Sequence, residues 1–170
     1  LLHLDRRQGH LTDSRIIDLP NVLNEGDVLV VNDAATLPAS YAVTVPSGRS
    51  LEARLAGEGP CGHWRVILLG EGNWHQATSE RSAPAQLSRG DRIGFGTGLT
   101  AVVTAVSPIS PRLLEVRFDK EGEALWTALY RNGRPIQYWY LDGEVDLWHV
   151  QTRYGSRPWA VEIPAAGRPL

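Results

Sequence analysis

Two short stretches, far apart in the chain, carry polar side chains of the kinds that bind nucleosides. Asn32 and Asp33 follow the apolar run at residues 28–31 and offer an amide and a carboxylate. Gln151, Thr152 and Tyr154 offer an amide, a hydroxyl and a phenol. These groups can donate to and accept from a nucleobase edge or a sugar hydroxyl. Both stretches are therefore candidates for binding a nucleoside-like substrate.

Each stretch also has a purely structural interpretation, and the residues alone leave both open. Asn and Asp commonly bond to backbone amides of their own turn. Residues 151–154 equally suit an ordinary solvated loop or the start of a helix.

A third stretch lies close to the end of the chain. Pro164, Ala165, Ala166 and Gly167 follow a predicted strand at residues 159–163, and small residues there allow the backbone to approach a ligand closely. We expect the three stretches to form one composite pocket. Its predicted substrate-binding residues are Asn32, Asp33, Gln151, Thr152, Tyr154, Pro164, Ala166 and Gly167. No general base or other catalytic residue is identified.

Metal and thiol chemistry have little support in the sequence. The five histidines show no metal-ligand spacing, and Cys61 is the only cysteine, so no metal site is predicted. Aromatic residues are frequent near the second stretch and either stack on bases or pack in the core. They are Trp126, Tyr138, Trp139, Tyr140, Trp148 and Trp159.

Composition limits the class of protein. The 170 residues are 42% hydrophobic and 21% charged, with a formal net charge of −2, which suits a globular core and gives no sign of a general polyanion-binding surface. No apolar run approaches the roughly 18 residues that span a bilayer, so no membrane association and a cytoplasmic location are predicted. The chain lacks methionine. We expect it to be a monomeric piece of a longer protein, completed by a missing C-terminal half.

The elements that must position these residues are of two kinds. Residues 28–31 predict a buried strand that delivers Asn32 and Asp33 to its carboxyl end, where α/β folds bind ligands. Residues 121–130 predict a helix. Between them lie short β-prone runs separated by Gly, Pro and Ser, at residues 41–45, 50–55, 64–69, 73–77, 92–95, 100–106 and 113–118.

This order predicts an α/β core domain interrupted by an inserted small all-β, barrel-like domain. Residues 1–40 and 119–170 are expected to form two segments of the core domain, which is incomplete. Residues 41–118 are expected to form the inserted β-barrel.

Three motifs in this order resemble the S-adenosylmethionine:tRNA ribosyltransferase-isomerase family of queuosine biosynthesis. They are the Gly26-Asp27 turn with its apolar run, Asn32-Asp33 and Pro38-Ala39, then Gln151-Thr152 with Tyr154, and finally Pro164 with Ala166-Gly167. The resemblance runs through all of the chain and covers about the N-terminal half of a typical member.

The resemblance implies a specific reaction. The family transfers and isomerises the ribosyl group of S-adenosylmethionine, its donor substrate, onto 7-aminomethyl-7-deazaguanine in the tRNA anticodon, which gives epoxyqueuosine. The implied partner is a tRNA anticodon loop, and no metal is implied.

The chain departs from the family pattern at positions where the family carries Arg or His. Ala34-Ala35 stand where the family has Thr-Arg, Ser40 stands for a second Arg, and Arg168-Pro169-Leu170 stand for Leu-His-Phe. The chain is thus expected to be a divergent member. The alternative to the family reaction is a catalytically altered or inactive homologue that binds RNA or a nucleoside.

Overall fold

The computed structural model describes residues 1–167, so Arg168-Pro169-Leu170 lie outside the described residues, as does the side chain of Ala166. The chain begins with an antiparallel hairpin of β1 (Leu2–Asp5) and β2 (His10–Asp13), followed by the short helix α1 (Leu19–Val22). No side chain before Thr36 is buried.

The prediction of a buried strand at residues 28–31 is wrong. These residues have no regular secondary structure, and Val28 and Val30 are 85% and 87% exposed. The strand lies further along, as β3 (Ala34–Thr36). Among residues 1–167 no strand pairs with residues 28–31, and an extended segment without a partner cannot satisfy its backbone groups within a sheet. Asn32 and Asp33 therefore precede a strand instead of following one.

The middle of the chain closes into a six-stranded antiparallel barrel, which confirms the barrel-like prediction. Its strands are ordered β4-β5-β6-β9-β8-β7, and β4 returns to β7 through Thr44 and Gly94. They are β4 (Ser40–Thr44), β5 (Ser50–Glu58), β6 (Trp64–Leu69), β7 (Arg92–Gly94), β8 (Thr100–Val106) and β9 (Leu113–Phe118).

Alternation along the strands fills the barrel. Trp64, Val66 and Leu68 of β6 are at most 2% exposed, whereas the intervening Arg65 is exposed. The strand predicted at residues 73–77 is wrong, because Asn73 organises a turn there. Its side-chain oxygen accepts from His75 N and its carbonyl from Gln76 N.

Helix α2 (Gly122–Asn132) packs on the barrel, in agreement with the predicted helix. Leu125 and Leu129 are buried in the same core cluster as the barrel strands. The Tyr41 hydroxyl donates to the Leu129 carbonyl at 3.3 Å, which ties β4 to the end of the helix. None of the helices among residues 1–167 is both long and apolar enough to cross a bilayer.

The two ends of the chain meet in one parallel pair. β10 (Arg157–Ala160) lies beside β3, with Arg157 opposite Ala34 and Ala160 opposite Thr36. β10 ends at Ala160 and is displaced from the strand predicted at residues 159–163. In the part of the chain that the structure describes, this pair is the whole of the parallel sheet, so the α/β core and the insertion remain predictions.

Candidate functional site

The side chain of Gln151 is engaged with the backbone of Thr36. Its Oε1 accepts from Thr36 N and its Nε2 donates to Thr36 O, each at 2.8 Å. The Thr36 hydroxyl donates to the Val150 carbonyl at 3.0 Å. The amide of Gln151 thus forms hydrogen bonds with both the backbone N–H and the backbone carbonyl of Thr36, a buried strand residue. Its role here is to join two distant segments, and both of its hydrogen-bonding ends are in use.

Asp33, three positions before Thr36, joins the same two segments. Its carbonyl accepts from Ser156 N at 2.7 Å and from Arg157 N at 3.2 Å. Its carboxylate accepts from the Ser156 hydroxyl at 3.2 Å and lies 3.5 Å from Arg157 Nε. Asn32 behaves as the structural interpretation of its motif expects, because its Oδ1 accepts from Ala34 N at 3.0 Å.

Tyr154 connects the second stretch to the third. Its hydroxyl donates to the Gly167 carbonyl at 2.9 Å, and Gly167 N donates to Pro164 O within the 3-10 turn Ala165–Gly167. A Cβ at position 167 would lie 2.6 Å from the Tyr154 hydroxyl, so a larger residue there would have to displace that hydroxyl. Thr152 is 7% exposed and packs beside the same glycine.

The structure therefore brings the three predicted stretches together, but through hydrogen bonds among themselves. The side-chain groups of Asn32, Gln151 and Tyr154 each have a backbone partner. A ligand that contacts this region would need further groups around it. The assignment of these residues to substrate binding stays a prediction.

An open cavity of about 490 Å³ lies directly beside the third stretch. It is lined by Tyr138, Tyr140, Glu162, Ile163 and Ala165. The two tyrosine rings are stacked, with centroids 5.4 Å apart and planes inclined by 25°. This volume lies in the range of small-molecule sites. An exposed aromatic face beside a carboxylate can hold a planar heterocycle that bears N–H donors.

Electrostatics couple this cavity to the barrel. Burial raises the pKa of Tyr138, and the negative charge of Glu162 raises it further. Arg54 of β5 acts in the opposite direction on the pKa of the same phenol. The Tyr138 hydroxyl is thus protonated at neutral pH and able to donate.

A buried charged cluster on the barrel is a feature that the sequence analysis missed. Glu52 is 6% exposed and accepts from Ser40 Oγ at 3.1 Å and from Arg54 Nε and Arg81 Nη1 at 2.7 Å each. Burial alone would raise the pKa of Glu52, but the hydrogen bonds and charges of Arg54 and Arg81 outweigh it and hold that pKa below its ordinary value. Alternation predicts Glu52 on the outer barrel face, and only the covering loop that carries Arg81 buries it.

Four of the six aromatic residues near the second stretch are exposed and lie outside the core. The exposed fractions are 59% for Trp139, 62% for Tyr140, 74% for Trp148 and 69% for Trp159. Trp126 is half-buried and meets Trp64 edge to face. Within residues 1–167 no group of three or more His, Cys, Asp or Glu side chains is arranged to hold a metal ion.

Comparison with known proteins gives a consistent result. The model of a family described as "Queuosine biosynthesis protein" matches residues 1–170. The S-adenosylmethionine:tRNA ribosyltransferase-isomerase of Anaeromyxobacter sp. (strain Fw109-5) is 32% identical over 95% of this chain and 44% of its own length. A protein of the same name from Thermus thermophilus is 31% identical over the same shares.

A third relative of that name, from Novosphingobium aromaticivorans, is 33% identical over 94% of this chain and 43% of its own length. No solved structure matches the chain. The chain thus spans less than half the length of these curated relatives. Because the family model covers every residue, the chain belongs to the queuosine biosynthesis protein family.

Proposed function

We propose that this chain contributes to an S-adenosylmethionine:tRNA ribosyltransferase-isomerase. The reaction moves the ribosyl group of S-adenosylmethionine to 7-aminomethyl-7-deazaguanine in a tRNA anticodon and rearranges it to give epoxyqueuosine. S-adenosylmethionine is the donor substrate, and the tRNA anticodon loop is the macromolecular partner. The names of the relatives support S-adenosylmethionine and tRNA, and the family resemblance adds the anticodon loop.

The observation that carries the proposal is the junction of the three motif stretches. Gln151 fills both backbone groups of Thr36, Asp33 accepts from residues 156 and 157, and Tyr154 reaches Gly167. These contacts hold the signature residues of the family beside one another. The residues proposed to contact substrate are Asn32, Asp33, Gln151, Thr152, Tyr154, Pro164, Ala166 and Gly167.

The cavity of Tyr138, Tyr140 and Glu162 adds aromatic and acidic groups beside the junction. Its stacked rings can support a heterocycle, and the Glu162 carboxylate can accept from an amino or imino N–H. We propose that one of the two nucleobase-like portions of the reaction, adenine or deazaguanine, lies in this cavity.

The domain arrangement is part of the proposal. Residues 1–40 and 119–170 are proposed as two segments of a core domain, and residues 41–118 as the insertion that forms the barrel. The pairing of β3 with β10 supports this, because it joins the two segments around the barrel sequence.

A second candidate is a catalytically altered or inactive homologue that binds RNA or a nucleoside. Ala34 and Ala35 favour it, because they stand where the family carries a hydroxyl and a guanidinium. Their backbone lies close to Gly155, where a Cβ would be 3.2 Å from Ala35 Cα. β3 is thus closely packed at Ala35, the position where the family has Arg.

Adenine release separates the two candidates. The protein as its gene encodes it would be incubated with S-adenosylmethionine and tRNA that carries 7-aminomethyl-7-deazaguanine, and adenine and modified nucleosides would be quantified by mass spectrometry. Adenine release that requires this tRNA, with epoxyqueuosine formed, supports the enzyme. tRNA binding without adenine release supports the altered homologue. A matched variant, Ala34→Thr with Ala35→Arg, restores the family side chains and should raise turnover if their loss limits the rate.

A further inference from the structure

A groove separate from the tyrosine cavity lies where three parts of the fold meet. Leu37, Pro158 and Trp159 line it from the β3–β10 side, Glu58 and Trp64 from the barrel, and Trp126 from α2. Its volume of about 430 Å³ lies in the lower part of the range of small-molecule sites.

Tryptophan dominates the surface of this groove. Trp64 is 2% exposed, and its ring meets that of Trp126 edge to face at 5.8 Å. Trp159, in contrast, is 69% exposed, although it is among the largest apolar side chains. Exposed aromatic rings on one side of a groove are the usual support for unpaired bases.

A positive charge is held beside the exposed ring. The guanidinium carbon of Arg157 lies 5.2 Å from the centre of the Trp159 ring, a cation–π distance. Asp33 Oδ2 lies 3.5 Å from Arg157 Nε and orients the same guanidinium. Both side chains are more than half exposed, so the outer N–H groups of Arg157 remain accessible to a phosphate oxygen.

The groove also offers a polar group, the carboxylate of Glu58. Trp64 Nε1 has no acceptor among residues 1–167, but the atom is itself buried and is closed to a ligand in the groove. Glu58 is exposed and has no ion-pair partner in the same range, so its carboxylate is free to accept. A nucleobase edge combines acceptors with N–H donors, whereas a lipid chain has neither.

We propose that this groove binds one unpaired nucleotide of RNA, with its base against Trp159 and its phosphate at Arg157. The proposal rests on the proposed function, because that function makes RNA the partner. The groove adds to that function an RNA contact outside the three motif stretches. S-adenosylmethionine also has a base, and its carboxylate can pair with a guanidinium as a phosphate does. Its binding at Trp159 is therefore the competing outcome of the test below.

Binding of a fluorescein-labelled anticodon stem-loop RNA to the gene-encoded protein, followed by anisotropy, tests this. We expect Trp159→Ala to weaken binding roughly tenfold to a hundredfold, the usual effect of losing one base stack. Trp159→Phe should keep most of the affinity, because it retains a ring. Circular dichroism of each variant controls for folding, which the exposed position leaves intact.

A salt series tests the phosphate contact. Arg157→Ala should reduce the slope of log Kd against log salt concentration by about 0.7, as expected for one phosphate on a single strand. The matched control is Arg49→Ala. Arg49 is also a half-exposed arginine in an ion pair, with Glu71, but it lies at the opposite end of β5 from Glu58. Its removal should leave the slope unchanged.

Two results would overturn the proposal. One is RNA binding that is equal in wild type, Trp159→Ala and Trp159→Phe. The other is loss of S-adenosylmethionine binding in Trp159→Ala with RNA binding intact, which would make the groove a free-nucleoside site. Adenine release is measured on the same proteins. RNA binding that depends on Trp159, without adenine release, would refute the proposed enzyme and keep the nucleotide groove. Adenine release by the wild type, with unchanged RNA affinity in Trp159→Ala, would keep the proposed enzyme and refute the groove.

Discussion

Gln151 and Thr36 are separated by 115 positions in the chain and exchange two hydrogen bonds of 2.8 Å each. Thr36 is 1% exposed, so no water replaces these bonds when the amide is lost. A side chain of a type suited to reading a base therefore completes the backbone pairing of β3. These bonds give Gln151 a structural role beside the substrate contact proposed for it.

Gln151→Ala should lower the free energy of unfolding by about 1–3 kcal/mol, because it leaves the buried Thr36 N–H unpaired. Urea denaturation followed by circular dichroism measures this change. Gln86→Ala, at an exposed glutamine of a barrel loop, is the control and should change little. Unaltered stability of Gln151→Ala, together with lost nucleoside or tRNA binding, would instead assign Gln151 to the ligand.

Removal of the Glu52 carboxylate should be among the most damaging changes on the barrel. Glu52→Ala leaves Arg81, whose side chain is 1% exposed, as a buried charge without its partner. The expected loss is about 3–5 kcal/mol in the free energy of unfolding. Glu71→Ala breaks the exposed pair with Arg49 and should cost only about 0–1 kcal/mol. Similar losses for the two variants in urea denaturation would show that the buried network adds nothing.

The same carboxylate predicts how stability depends on pH. The pKa of Glu52 is lowered in the folded state, so the unfolded chain binds its proton more readily. The stabilisation from Glu52 is therefore fully present above the unfolded-state pKa of about 4.3 and is lost as pH falls through the lower folded-state value. Urea midpoints measured from neutral pH downward should decline in this acid range.

Glu52→Gln is the comparison for that measurement, since it keeps the shape of the side chain and cannot ionise. Its midpoint should decline less steeply with acid than that of the wild type. Parallel declines in the two proteins would exclude Glu52 as a source of the acid sensitivity.

The exposed apolar run at residues 28–31 gives a prediction that separates the structure from the sequence-based expectation. Val30→Asp should change the free energy of unfolding of the 170-residue chain by less than about 0.5 kcal/mol, because Val30 is 87% exposed. Val66→Asp, at a position with 0% exposure, should prevent folding. Thermal melting of both variants tests this. A large loss of stability in Val30→Asp would instead support the buried strand that the sequence predicts at residues 28–31.

The sequence by itself determined the elements that depend on local pattern. β-prone runs between Gly, Pro and Ser clusters marked β6, β8 and β9 at their observed bounds, and apolar spacing along one face marked α2. Strands with one apolar side suit a barrel or a sandwich, and the structure shows that these close into a barrel. The order of motifs likewise sufficed to indicate the family.

Tertiary structure decided what local pattern does not contain. Residues 28–31 are apolar enough for a strand, but pairing requires a neighbour, and β3 found its partner in β10 instead. The amide of Gln151 has the same chemistry whether it meets a base or a backbone, and only the tertiary structure shows that it is bonded to Thr36. Alternation places Glu52 toward solvent, and the loop carrying Arg81 covers it. In each case the deciding contact spans residues distant in the chain, and no short stretch of sequence specifies it.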